Sequence, residues 1–527
     1  MFEKSKQLDI QHFSFFKHAL KGDCVIFTIN NLSVTMKRDL RTLLSGLDLS
    51  LAPGDRCAVI GEEGNGKSTL LKLIYDPSLI EDYAEYSGRI TRDHLIMGYL
   101  SQELTETQLS MTAYEYCCGM PVFLERSMGE LAAVSKMLGI QPEIFYSDQS
   151  LQSFSGGEKV KLRMALLLLS EPDLLLLDEP SGDLDIETLR WMEGFLQVCA
   201  APVLYISHDE TLLENTANMI LHMEQLRRKT LPRHVVARCG YREYVDNRLS
   251  SFEHQTRVAL KEKEEQQKQQ ERYSKLYQNV QQNLRNVSRQ NPHGGKMLKR
   301  KMKAVKSMGR RYDREAEGMT ELPDSEEAIL IKFPSDTALP AGKTVLELSV
   351  DLLKAGDKIL AESLHLLVKG GEHLCIIGPN GAGKTTFLKK IAQELLPRTD
   401  IRAGYMPQSY SDIMDPELST VDFLTDGSRK KDEITRAKTY LGSMKYTAEE
   451  TGHPLSELSG GQKAKLFLLK MILSRCNVLI LDEPTRNFSP LSGPVIRSIL
   501  REFPGTIISV SHDRKFIDEV CERQFFI

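Results

Sequence analysis

Residues Cys57 to Leu71 read CAVIGEEGNGKSTLL. An apolar run, a glycine-rich turn and an apolar helix start, in that order, give the strand–loop–helix context that a phosphate loop requires. The backbone N–H groups of Gly61, Glu62, Glu63, Gly64, Asn65 and Gly66 would face phosphate oxygens, and the helix N-terminus adds its dipole. Lys67 reaches toward the terminal phosphates, Ser68 can ligate Mg²⁺, and Thr69 follows at the helix start. The two glutamates are unusual beside phosphates. They either tune affinity or point to solvent.

Working outward, Leu174-Leu175-Leu176-Leu177-Asp178-Glu179-Pro180 reads as a buried strand ending in two carboxylates. Asp178 is placed to hold Mg²⁺ through water, and Glu179 to polarise an attacking water. Gln102 follows the strand-like run Ile96 to Leu100, and Ser155-Gly156-Gly157-Glu158 and Ser207-His208-Asp209 complete the set.

The second half repeats it. Gly378-Pro379-Asn380-Gly381-Ala382-Gly383-Lys384-Thr385-Thr386 is a second phosphate loop, and Gln408 follows Gly404 to Pro407. Then come Ser459-Gly460-Gly461-Gln462, the strand ending Asp482-Glu483-Pro484, and Ser511-His512-Asp513. From Ser155 to Glu179 and from Ser459 to Glu483 the distance is 24 residues; from each Glu to its His it is 29. Only Lys to Gln differs, 35 against 24, an 11-residue excess placed around Tyr75 to Arg89. A duplicated domain follows.

Between the halves, Arg285 to Arg314 carries 11 Lys and Arg against one acid, Asp313, in a chain of net charge −4. Concentrated positive charge on a negative background points to a polyanionic partner. Tyr273, Leu276, Tyr277, Val280, Leu284 and Val287 recur at helical steps before it, and Leu298, Met302, Val305, Met308 and Tyr312 within it. Asn291-Pro292 and Gly294-Gly295 stand between them as helix breakers. This predicts an antiparallel helical hairpin with its tip near 286–295. The competing reading is a solvated coiled-coil surface, which would mix both signs of charge as Lys261 to Glu265 does.

The totals agree with a multidomain globular chain. Its 527 residues leave room for two or three domains. Nine scattered cysteines lack metal-ligand spacing and suit reduced thiols in a cytosol. No run of 18 apolar residues encodes a membrane span. The N-terminus has no signal-peptide pattern, and residues 1–22 suit a short amphipathic helix without an assigned role. Trp191, the lone tryptophan, is expected to pack in the first half.

These motifs resemble those of the ATP-binding cassette superfamily over both halves. The resemblance implies an α/β fold: two P-loop ATP-binding cassette domains, residues 1–246 and 321–527, joined by an antiparallel α-helical hairpin linker at 247–320. It implies that Lys67 and Ser68 share one ATP with Ser459, Gly460 and Gly461, and Lys384 and Thr385 the other with Ser155, Gly156 and Gly157. Gln102 and Gln408 would sense Mg²⁺ and the attacking water, with Ser68, Thr385, Asp178 and Asp482 around the metal. Glu179 and Glu483 would serve hydrolysis, and His208 and His512 would hold the γ-phosphate.

Two cassettes in one chain with a basic hairpin look like the ABC-F proteins, ATPases that bind the ribosome at its tRNA exit site. By that resemblance the partners are large-subunit rRNA and peptidyl-tRNA, contacted by Arg285, Arg289, His293, Lys296, Lys299, Arg300, Lys301 and Lys303. The chain would be a cytoplasmic monomer without a membrane partner. The near-equal Gln-to-signature distances, 53 and 51 residues, leave no room for the arm that some housekeeping members insert. Asn291 to Lys299 also looks like linkers of antibiotic-resistance members, so ribosome protection is the leading expectation. A housekeeping translation factor, a transporter ATPase and a DNA-acting cassette are the alternatives.

Two departures from the family pattern stand out. Ser181-Gly182-Asp183-Leu184-Asp185 follows the first carboxylate strand, whereas Thr485-Arg486-Asn487-Phe488-Ser489-Pro490 follows the second. The two ATP sites are therefore expected to differ. Neither Leu32 to Met36 nor Leu348 to Val350 offers an aromatic ring for adenine.

Overall fold

The computed structural model describes residues 26–92, 94–182, 184–226, 230–286, 292–318, 320, 332–356, 358–410, 413–444, 446 and 450–527. The amphipathic N-terminal segment, Asp183 and Arg289 lie outside these. Contacts divide the chain into two compact units, Met1–Tyr241 with Glu326–Ile527, and Arg242–Ser325.

In the first cassette the strands are β1 (Phe27–Met36), β2 (Thr42–Leu51), β3 (Arg56–Ile60), β4 (Ala84–Thr91), β5 (Met97–Leu100), β6 (Leu174–Asp178), β7 (Val203–Ile206), β8 (Met219–Gln225) and β9 (Leu231–Ala237). The main sheet runs β5-β6-β7-β3-β8-β9, parallel except for β9. Its central strands are continuous apolar runs because both faces are covered. Leu174 to Leu177 are all fully buried.

The second cassette has β10 (Thr344–Ala355), β11 (Lys358–Lys369), β12 (His373–Ile377), β13 (Ala403–Met406), β14 (Val478–Asp482), β15 (Thr506–Val510) and β16 (Arg523–Phe526). Its parallel sheet runs β13-β14-β15-β12-β16, matching β5-β6-β7-β3-β8 strand for strand. The duplication read from motif spacing is thus also a duplication of topology. The 11-residue excess has a structural counterpart: a 3₁₀ turn at Pro77–Leu79 and strand β4, which adds a third strand beside β1. Among the described residues, β10 pairs only with β11.

Each phosphate loop leaves the C-terminal end of a central strand, β3 or β12, where open α/β sheets place ligands. Gly66 and Gly383 cap the following helices, Lys67–Tyr75 and Lys384–Leu395, with φ of 88° and 95°. A Cβ on Gly66 would stand 2.8 Å from Leu43 Cδ1, so this turn requires glycine.

The linker unit consists of the helices Tyr241–Asn286 and Pro292–Glu317. They run antiparallel. Tyr273 packs on Gly309, where a Cβ would lie 2.8 Å from the ring. Eleven residues back along one helix and eleven onward along the other chain segment, Glu262 accepts a 2.7 Å bond from the Thr320 amide. Gly294 and Gly295 do not break the helix as expected; they sit in its first turns, behind Pro292. Proline is favoured at a helix start, where its missing N–H would have no partner and its φ already suits the turn. Residues 287–291 of the expected tip lie outside the described residues.

Candidate functional site

The loop lysines are largely buried and folded onto their own loops. Lys67 Nζ donates to the Gly61 and Glu62 carbonyls at 2.7 and 3.0 Å, and Lys384 Nζ to those of Gly378 and Pro379, both at 2.9 Å. Beside them Ser68 Oγ donates to Asp178 Oδ1 at 2.9 Å, and Thr385 Oγ1 to Asp482 Oδ1 at 3.3 Å. These pairs sit at equivalent places in the two halves and form the hydroxyl–carboxylate set expected around Mg²⁺. Asp482 Oδ2 is buried without a hydrogen-bond partner, an arrangement that a cation would relieve. Burial raises both carboxyls, Asp482 to about 6. The donor set fits Mg²⁺.

Glu179 and Glu483 follow these aspartates with φ of 50° and 51°. Left-handed backbone at a non-glycine residue is strained, and the same strain recurring in both cassettes marks both positions as functional. Their surroundings differ. Glu179 Oε2 accepts from Gln102 Nε2 at 3.1 Å, and Oε1 lies 3.1 Å from His208 Nε2. His208 Nδ1 donates to the Phe488 carbonyl of the other cassette at 2.7 Å, so a proton must lie between Nε2 and Glu179. Burial works to raise the Glu179 carboxyl, but His208 and Lys67 outweigh it and hold it below its usual range. Glu483 accepts from the His512 amide at 3.2 Å, while its Oε1 has no hydrogen bond and His512 Nε2 stands 3.9 Å away. Burial pushes this carboxyl up to about 8.

The two signature serines are N-caps. Ser155 Oγ accepts from the Glu158 amide and Ser459 Oγ from the Gln462 amide, and each fourth residue reaches back to its serine N–H. These capping boxes open the helices Gly156–Leu169 and Gly460–Leu473 with their amides toward the opposite phosphate loop. A cavity of about 1260 Å³ is lined by Ser155, Gly156 and Glu158 from one side and by Asn380, Gly381, Lys384, Thr385, Thr386 and Gln408 from the other. The loop and signature of opposite cassettes therefore face one another here. Gly157 and Ala382 stand beside them in the chain.

The other pairing is tighter. A cavity of about 370 Å³ is lined by Gly64, Gly66, Lys67, Ser68, Thr69, Gln102 and Glu179, with Arg486 and Asn487 from the second cassette. Asn65 is turned away, its Nδ2 donating to the Met223 carbonyl at 3.0 Å. Glu62 is turned away from solvent, whereas Glu63 is exposed and still spends one carboxylate oxygen on the opposite cassette. Glu62 accepts from Ser489 and Ser492 at 2.7 and 2.5 Å and lies 3.5 Å from Lys465 Nζ. Burial opposes its ionisation, but Lys465 and the two hydroxyls hold its carboxyl below the ordinary range. Glu63 Oε2 accepts from the Gly461 amide at 2.5 Å.

Sequence reasoning missed several lining residues. Met36, Arg41 and Leu43 border the smaller cavity, and Arg486 borders both. Tyr99 donates to Asp178 Oδ2 at 3.3 Å. The 35-residue Lys-to-Gln interval hid Tyr99, although it stands three residues before Gln102. Trp191 stacks on Phe195 at 5.9 Å, under Lys161.

On the linker unit, Arg285, Lys296, Lys299, Arg300, Lys301 and Lys303 are all exposed. Leu298, Met302, Val305, Met308 and Tyr312 are half-buried at helical spacing, so the apolar stripe packs inward and leaves the cations outside. His293 lies in the second helix; its side chain is outside the described set.

The family model described as ABC transporter matches residues 44–182 and 361–486, about half the chain and one span in each cassette. The chain belongs to this family. Within it, the twin-cassette arrangement is that of the ABC-F ATPases, and this chain hydrolyses ATP. It is 28% identical to the ribosome protection protein VmlR of Bacillus subtilis, over 95% of this chain and 86% of VmlR. It is also 28% identical to the ATP-binding protein Uup of Haemophilus influenzae, over 91% of this chain and 75% of Uup. The archaeal ribosome recycling factor aABCE1, solved with stalk protein aP1, shares the fold with a TM-score of 0.58 at 18% identity, covering 94% of this chain and 87% of that one. No helix among the described residues is long and apolar enough to cross a membrane.

Proposed function

We propose that this ABC-F ATPase binds the ribosome near the tRNA exit site and protects it from antibiotics acting at the peptidyl-transferase region. The observation that carries the reading is the exposed basic face of the linker hairpin, Arg285 with Lys296 to Lys303, in the same chain as a cassette pair built to bind ATP. A polyphosphate backbone is the partner such a face suits. The likeness to a ribosome protection protein over nearly the whole chain supports the protective role.

In this reading each ATP lies between a phosphate loop and the opposite signature helix. Lys67 and Lys384 leave their loop carbonyls to meet the phosphates, and the Gly461 and Gly157 amides meet the terminal phosphate. Ser68 with Asp178, Thr385 with Asp482, and Gln102 and Gln408 would hold Mg²⁺, which neutralises charge on the phosphates when bound. Glu179 and Glu483 orient and deprotonate water, while His208 and His512 steady the terminal phosphate. Closure around ATP and release after hydrolysis make a two-state clamp joined to the hairpin.

Equal identity to Uup, an ATP-binding protein whose name carries no protective role, leaves a second reading open, a general translation factor. Expression in a sensitive host, with susceptibility measured across ribosome-targeting drug classes, separates the two. Protection predicts raised tolerance to at least one class acting at the large-subunit active centre. Unchanged tolerance to every class would sink it in favour of the translation factor.

A further inference from the structure

The two phosphate loops differ most at one pair of positions. The first has Glu62 and Glu63 where the second has Pro379 and Asn380, which carry no charge. Glu63 reaches across to the second signature helix, where the Gly461 N–H donates to its Oε2 at 2.5 Å. The same oxygen lies 3.2 Å from where a Cβ on Gly460 would stand. Glu62 is anchored on the far side by the hydroxyls of Ser489 and Ser492 and by Lys465.

We propose that Glu63 is a built-in competitor for the terminal phosphate of ATP at the first nucleotide site, held in place by the Glu62 anchor. The proposal rests on the nucleotide reading of that site. A signature amide has one hydrogen to donate, so Glu63 and a terminal phosphate compete for the Gly461 N–H. ATP must displace Glu63 to reach Gly461, whereas ADP lacks the phosphate that would contest it. When the terminal phosphate leaves after hydrolysis, Glu63 takes over its amide and the loop stays tied to the opposite cassette. The second site has no such substitute. Opening therefore falls to the second site, while the first remains clasped through turnover. Glu62 and Glu63 set how strongly the first site prefers ATP over ADP.

The test uses the full chain carrying Lys384→Ala, which confines nucleotide binding to the first site. Fluorescent ATP and ADP analogues are titrated with Mg²⁺ into this background, with and without Glu63→Gln; Glu179→Gln is included throughout to suppress turnover. Losing a charged hydrogen-bond competitor should raise the ATP-to-ADP affinity ratio about tenfold. Ser489→Ala with Ser492→Ala releases the anchor outside the cavity and should move the ratio the same way by a few-fold; it decides the matter if Glu63→Gln fails to fold. An unchanged ratio in the folded variants overturns the competitor. If the Lys384→Ala protein binds neither nucleotide, the first site's nucleotide assignment falls, and the competitor with it.

Discussion

Arg497 of the second cassette meets Glu210 of the first through two hydrogen bonds of 2.6 and 3.1 Å, with side-chain exposures of 3% and 5%. Arg514 reaches Glu193, and Lys515 reaches Glu210 and Glu214, in the same sense. The bases stand on one cassette and the acids on the other, so two copies of either cassette would meet like against like. Removing one partner strands a buried charge. Glu210→Ala should lower stability by about 3–5 kcal/mol, whereas replacing both Glu210 and Arg497 by apolar residues of similar size should restore most of it. Thermal melts of the single and double variants check this; equal losses in both would contradict it.

Single replacements at the two glutamates should not be equivalent. Glu179 is held by Gln102 and His208, while Glu483 Oε1 has no hydrogen bond. Each Glu→Gln variant should keep ATP binding and slow turnover to a different extent. The double variant should lose about 10²–10⁴-fold in kcat, the usual worth of a general base. Steady-state phosphate release measures it. Identical single-variant rates would contradict the asymmetry.

Chelating Mg²⁺ should abolish turnover, because the ATP phosphates would then face the Asp178 and Asp482 carboxylates with no cation between the two sets of negative charge. Thr385→Val should raise the Mg²⁺ concentration needed for half-maximal activity, since it removes the hydroxyl paired with Asp482. An activity unaffected by chelation would count against the assigned donor set.

The hairpin cations are exposed and predict a salt-dependent interaction. Replacing Lys296, Lys299, Arg300, Lys301 and Lys303 by Gln should reduce the slope of log affinity for ribosomes against log salt by roughly 0.7–0.9 for each lost contact. Ribosome binding titrated across salt concentrations measures the slope. A variant with the original slope would show that these side chains do not touch phosphate.

Much of this arrangement was legible in the residues because the phosphate loops, signature helices and carboxylate strands are local patterns repeated at equal spacing. Leu174 to Asp178 and Val478 to Asp482 could each be read as a buried strand from apolar continuity alone. The destination of Glu62 and Glu63 could not, because their partners lie about 400 residues away, at Gly461, Lys465, Ser489 and Ser492. Local pattern also misjudged Gly294 and Gly295. Their low helix propensity costs about 1 kcal/mol each, which packing of a long apolar stripe can exceed. Arg41 was missed because nothing in its neighbours marks a strand turn that leans over the loop, where its guanidinium donates to the Gly64 carbonyl at 3.3 Å.

The most direct test of the account is co-sedimentation of the Glu179→Gln, Glu483→Gln protein with ribosomes in ATP and in ADP. An ATP clamp that presents a basic hairpin predicts stable pelleting with ribosomes in ATP, little in ADP, and loss of pelleting when the five hairpin cations are neutralised. A double variant that binds ATP yet stays in the supernatant under both nucleotides would contradict it.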